Sequence, residues 1–302
     1  MGRKPYISTI LNRCMLFELY EEALRRREEI IRAINGNRDK IREAESVWNE
    51  YESKYNESRL VGVDSSFNYK SYKGFYLYAL AGVAVTSDDS YYTKPIARLD
   101  LEKSKDNSNG ISIRNLLLLR CMDIEYELIK DSRDSIDIDN ILVDGSILAR
   151  LYDGRFVRNR GKEIFRKYKS ILRDDRVVFV AKNSDSNTIL RGNLADIYYF
   201  SRASTTAGYV YEYSSVDGED ITVAYVRLKP CTPVIKLELS GKKDDDEIKD
   251  IMDRLATESV SGYPYVLRLA HERCKISDED MDRIEDNYGL GIEEGSREVL
   301  EE

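Results

Sequence analysis

Two short apolar runs in this chain end in an aspartate: LVGVDSS at 60–66, which ends in Asp64, and ILVDGS at 141–146, which ends in Asp144. An apolar run of that length reads as a buried strand, and an acid at its end is delivered to the edge of a sheet. If the two strands are neighbours, their carboxylates meet. A third acid lies within ISIRNLLLLRCMDIEYELIK, residues 111–130. At about 100° per residue, Leu117, Leu118, Cys121, Met122, Ile124, Leu128 and Ile129 share one arc of a helix. Glu125 falls inside that arc, and Glu127 and Asp123 fall outside it. A glutamate on an apolar face is costly unless it is paired, protonated or bound to a cation. Three converging carboxylates repel one another until a divalent cation neutralises them, and oxygen donors suit Mn²⁺ or Mg²⁺, as one or two ions. Such a centre serves phosphodiester hydrolysis.

His271 is the only histidine, and it follows Tyr263 by eight positions in GYPYVLRLAHERCKI. Pro264 suits the first turn of a helix, which puts Tyr263 at its mouth and His271 beside an inward stripe of Leu267, Ala270 and Cys274. With an ordinary pKa of about 6.5, the imidazole suits either a metal ligand or a proton donor. The expectation is a helix that closes the acidic centre from the side opposite Glu125. Lys182 ends a further apolar run, RVVFVAK, where it would neutralise a phosphate or simply reach water. Asp196 is a lesser candidate for the acidic cluster. Residues 153–176 hold nine basic and four acidic side chains. Among them Arg155, Arg158, Arg160, Lys162, Arg166, Lys167 and Lys169 form a candidate DNA-binding surface, although the same charge fits a solvated helix face.

The elements that would position these groups follow from periodicity. Residues 6–58 read as two helices broken at Asn35-Gly36-Asn37, and three strand-like runs between Arg59 and about Leu101 read as a meander. Then come the 111–130 helix, the Asp144 strand, the basic helix and the Lys182 strand. After these, residues 187–204 read as helical, 208–239 as strands, and the remainder as three helices. The expected fold class is α/β, a mixed sheet flanked by helices with an N-terminal helical arm. The expected organisation is a helical arm at 1–58 for dimer or partner contacts, a nuclease-like domain at 59–288 with inserted strands near 208–239, and an acidic tail at 289–302.

No apolar run is long enough to span a bilayer, and the N-terminus lacks the apolar core of a signal peptide, so a cytoplasmic protein is expected. Cys14, Cys121, Cys231 and Cys274 are single and are expected to be reduced and buried. The net charge of −8 is unevenly distributed, since residues 277–302 carry eleven acids against Arg283 and Arg297 and leave the rest near +1.

The motifs GVDSS, LVDGS, the strand-end lysine of VAKNSDSNTIL, and GYP followed by LAHERCKI resemble, in this order and spacing, the NurA nuclease family of archaeal and bacterial DNA nucleases. The resemblance covers roughly residues 59–288, and the helical arm before them is similar too. It implies an RNase H-like core, a toroidal homodimer, and a Mn²⁺-dependent nuclease of single-strand endonuclease and 5′–3′ exonuclease type. It also implies a HerA-type hexameric translocase as partner in DNA end resection and recombinational repair. Under it, Asp64, Asp144, Glu125 and His271 are metal-binding and catalytic, Tyr263 belongs to the active site, and Glu127 competes with Glu125 by its spacing from Asp144. Two rival readings stand beside it. One is an RNase H-like module that grips nucleic acid or a partner without cutting, in which the buried Glu125 needs a nearby Arg or Lys. The other is a phosphotransferase with acids at strand ends, for which the chain lacks convincing Gly-rich phosphate loops.

Overall fold

The computed structural model describes residues 6–35, 37–87, 95–103, 112–135, 137–152, 162–216 and 218–292. Its centre is one nine-stranded mixed sheet. Three long strands, β2 (Leu60–Ser71), β3 (Phe75–Thr86) and β4 (Ile96–Lys103), form the expected antiparallel meander. Two short strands, β5 (Asn140–Asp144) and β6 (Val177–Ala181), continue the sheet on the other side of β2 and run parallel to it. Apart from Asp144 at the edge, every residue of β5 and β6 is buried, which is the pattern of parallel strands covered on both faces. β9 (Ile235–Ser240) joins antiparallel to β6, and β8 (Glu219–Arg227), β7 (Gly208–Val216) and the two-residue β1 (Asn49–Glu50) follow outward. The strands near 208–239 therefore extend the central sheet, because their buried side chains complete its two faces.

One face carries α2 (Arg38–Val47), α3 (Ile113–Ser135), α4 (Ile147–Tyr152), α5 (Lys162–Ile171) and α6 (Asp196–Ala203), which pack around Ile124, Leu128, Tyr168 and Phe200. The other face carries α7 (Asp245–Thr257) and α8 (Tyr265–Cys274), packed on Leu142, Val180 and Leu237. Two glycines allow the close approach from either side. A Cβ on Gly62 would run into the Val266 backbone of α8, and one on Gly82 would run into Ile124 of α3. The helix α9 (Asp278–Tyr288) closes the far end of β2 and β3, with Met281 beside Tyr72 and Leu77. The 30-residue α1 (Tyr6–Asn35) is exposed along its described side chains.

Three local expectations differ from the structure. Residues 48–58 are not helical. Trp48 is buried in the core, β1 pairs with β7, and the segment runs along α7 with Tyr51 donating to Asp253 at 2.9 Å. Of 187–204 only α6 is helical, because Arg191 turns the chain at a φ of 49° and Asp196 holds the preceding loop through the Ile189 and Leu190 amides at 2.9 and 3.0 Å. Cys231, expected to be buried, is exposed in a turn, whereas Cys121 and Cys274 are buried free thiols.

Candidate metal centre

Parallel pairing aligns the strand ends. Val63 sits opposite Val143, and Asp144 sits opposite Val180, so Asp64, Asp144 and Lys182 emerge side by side from β2, β5 and just beyond β6. Alternation along β2 sends Gly62, Asp64 and Ser66 to the α8 face, and Ser66 donates to the Cys274 carbonyl there. Val61, Val63 and Ser65 point to the α3 face.

On the α8 face three groups converge. Asp64 Oδ2 lies 2.9 Å from His271 Nδ1, and the ligand atoms of Asp64, Asp144 and His271 all lie within 4.8 Å of one another. Tyr263 donates its hydroxyl to Asp144 Oδ1 at 3.0 Å, which fixes that carboxylate. Lys182 Nζ sits 3.6 Å from Asp144 Oδ2 and 4.3 Å above the Tyr263 ring, a cation–π contact that steadies a side chain still 48% exposed. Asp64 is buried and His271 is half exposed. Burial, then the charges of Asp144 and Glu125, push the Asp64 carboxyl up to about 6, against the opposing hydrogen bonds from His271 and the Ser65 N–H. Burial and the Asp144 charge raise the Tyr263 hydroxyl far enough that it stays a proton donor.

Glu125 approaches from the opposite face. It is buried, as the helical arc predicts, but its oxygens are already taken. Ser65 Oγ donates to Oε1 at 2.7 Å, Tyr168 donates to Oε2 at 2.7 Å, and the Arg150 guanidinium pairs with the same carboxylate. Arg150 also donates to the Asp144 carbonyl at 2.9 Å, tying this network to the centre. Glu125, expected as a third ligand, is therefore outside the group of three donor atoms, and its charge is met by protein. No local pattern in the sequence marks which cation would do this. Arg150 lies only six residues beyond Asp144, and Tyr168 was hidden as an apolar position of the basic segment. A further support is Glu238 on β9, which accepts from Ser146 Oγ at 2.6 Å and Leu148 N at 3.0 Å and pairs with buried Lys236 at 2.7 Å, fixing the turn after Asp144.

The remaining candidates lie elsewhere. Glu127 is half-buried and pairs with Arg98 at 2.9 Å, and Asp196 is buried as the anchor of its own loop. Arg155, Arg158 and Arg160 lie outside the described residues, and Lys162 is described in its backbone alone. Arg166 is exposed. Lys167 pairs with Asp123 at 2.6 Å and Lys169 approaches Glu219 at 3.6 Å, so these two are engaged with acids of the same chain.

The residues present fit a divalent cation. Two carboxylates and one imidazole form an oxygen–nitrogen donor set suited to Mn²⁺, and the raised Asp64 reflects burial first and then like-charge repulsion, which a cation would offset. No helix among the described residues is long and apolar enough to cross a membrane.

The NurA domain model matches residues 58–276. A curated relative from Sulfurisphaera tokodaii, the DNA double-strand break repair nuclease NurA, is 22% identical over 89% of this chain and 94% of its own length. Its counterpart from Saccharolobus solfataricus is 27% identical over 67% of this chain and 57% of its own length. Among solved structures, the NurA nuclease from Sulfolobus solfataricus superposes with a TM-score of 0.74 at 19% identity, covering 91% of this chain and 97% of that one. A NurA bound to dAMP and manganese superposes with a TM-score of 0.66 at 13% identity, covering 93% and 99%.

Proposed function

This chain belongs to the NurA domain family, and from that premise we propose that it is a divalent-metal-dependent deoxyribonuclease acting in DNA double-strand break repair, with Mn²⁺ as its cation. The observation that carries the reading is the convergence of Asp64 and Asp144, from the aligned ends of β2 and β5, with His271 from α8. The names of the curated relatives and the manganese of a related structure point the same way.

The bound cation would activate water and stabilise charge on the leaving oxygen. Everything else falls to the chain. Tyr263 keeps its proton and orients Asp144, while Lys182, half exposed beside Asp144, offers positive charge to a phosphate oxygen. His271 turns Nδ1 toward Asp64 Oδ2, and its ring would serve as the nitrogen ligand of the cation or, when protonated, deliver a proton to the leaving oxygen. Glu125 contributes charge from the opposite face, balanced by Arg150. In the finer reading the chain cuts single strands internally and from the 5′ end, works as a homodimer, and serves a HerA-type hexameric translocase during end resection. The non-cutting module is the alternative, and the Arg150–Glu125 pair is the observation in its favour.

Labelled linear DNA incubated with the protein and Mn²⁺ decides between them. Asp64→Asn and Asp144→Asn should each lower cleavage beyond the roughly 10–100-fold typical of outer-shell partners. His271→Ala should lower cleavage far more than DNA binding. Full activity in Asp64→Asn would refute the centre.

A further inference from the structure

β5 ends at Asp144, so beyond Val63 the strand β2 loses its parallel neighbour and keeps only β3. The space left between the outgoing β2, the first half of α3 and α4 is a cavity of about 440 Å³. That volume falls within the range of small-molecule sites, roughly 300–1,000 Å³. Its floor, Ser65, Glu125 and Arg150, lies on the α3 side of β2, across the strand from Asp64, and Arg150 links it to the metal centre by donating to the Asp144 carbonyl at 2.9 Å at the strand ends. Its walls are apolar. Phe67 stands two residues along β2 on the same face as Ser65, and Leu118 faces it from α3. Leu118 belongs to the inward stripe of α3, yet it is 40% exposed, and the cavity is the space onto which it opens.

The charges on the floor decide what fits. Glu125 and Arg150 neutralise each other, so the cavity offers no net charge to a phosphate. A neutral, flat group with hydrogen-bonding edges suits it better: an aromatic face in Phe67, an aliphatic wall in Leu118, and the Asn115 amide as a polar group among the lining residues. We propose that this cavity takes one nucleobase of single-stranded DNA, stacked on Phe67, from the nucleotide adjoining the phosphate held at Asp64, Asp144 and His271. The proposal rests on the nuclease reading above and adds a base-binding subsite to it.

The test uses the full chain and a single-stranded oligonucleotide carrying one 2-aminopurine, with Ca²⁺ in place of Mn²⁺. Stacking should quench the fluorescence of the bound oligonucleotide. Loss of one stacked base should weaken binding about fivefold or more in Phe67→Ala, with the fluorescence restored. Leu118→Asp, at a position exposed enough to spare the fold, should do the same. No quenching with the unaltered protein, or quenching and affinity unchanged in both variants, overturns the subsite. A parallel arm with Mn²⁺ separates the two ideas. Failure of the unaltered protein to cleave removes the nuclease reading while the quenching still judges the pocket, and cleavage with unaltered quenching in both variants removes the pocket alone.

Discussion

Asp64 is a buried acid facing Asp144 across the strand ends, with a half-exposed imidazole and one backbone N–H as its compensation. Its carboxyl, pushed up to about 6 from an ordinary 3.8, binds protons in the metal-free fold that the unfolded chain has already released between about pH 4 and 6. Stability of the metal-free protein should therefore fall as pH rises through that window, and above it the full penalty, a few kcal/mol, is present. A cation removes the penalty only where the carboxylate is ionised. The expected result in thermal unfolding is a Mn²⁺-induced rise in Tm that is small at pH 5 and larger by several degrees at pH 7.5. Asp64→Asn should abolish that increment while raising the metal-free Tm at pH 7.5, and an increment independent of pH would contradict the assignment. At this scale the sequence was informative about Asp64, Asp144, Tyr263 and His271, since strand-end acids and a helix-borne histidine leave visible patterns. It was silent about Arg150, because a helical arc reveals that Glu125 is buried without revealing what neutralises it.

Elements bring these residues together through two close approaches, one on each face of β2 and β3. On the α8 side, Gly62 lies against the Val266 backbone, and this contact sets the height at which His271 meets Asp64. Gly62→Ala would have to push α8 outward, since the obstacle is backbone and cannot rotate away. Overpacking of this kind costs about 1–3 kcal/mol. The expected outcome is a lower Tm together with a loss of Mn²⁺ affinity measured by titration calorimetry. A variant with lowered Tm and unchanged Mn²⁺ affinity would show that the helix height does not matter to the centre. Legibility differed by element for physical reasons. The meander and α3 were readable because their apolar patterns are long, and the two five-residue parallel strands because each holds an unbroken apolar run. The stretch 187–195 misled because its Ile189, Leu190 and Leu194 fall at helical spacing, while Asp196 and the turn at Arg191 hold the same residues as a folded loop. Residues 48–58 carried no local signal that they would lie along α7, since their partners, such as Asp253 and Thr257, are about 200 residues away in sequence.

For the whole molecule, the unanswered demand is α1. Phe17, Tyr20, Leu24, Ile31 and Ile34 recur at spacings of three, four, seven and three, which makes one stripe along the helix, and all five are exposed. A stripe of this kind is the pattern of a helix that packs against another. Large apolar side chains collected in this way on a monomer mark an interaction surface, because leaving them in water forfeits about 25 cal/mol for each Å² that burial would gain. The homodimer in the finer reading of function would supply the missing partner, with α1 of one copy against the other. Sedimentation of the full chain should then give a mass near twice 34.9 kDa. Leu24→Lys combined with Phe17→Lys should shift it toward the monomer and leave the Mn²⁺-dependent Tm increment in place, since neither side chain reaches the centre. Both positions are exposed, so the substitutions should not disturb folding of the sheet. A chain that sediments as a monomer before substitution would assign the stripe to a different partner. A dimer that persists after it would place the contact between copies on another face of the molecule.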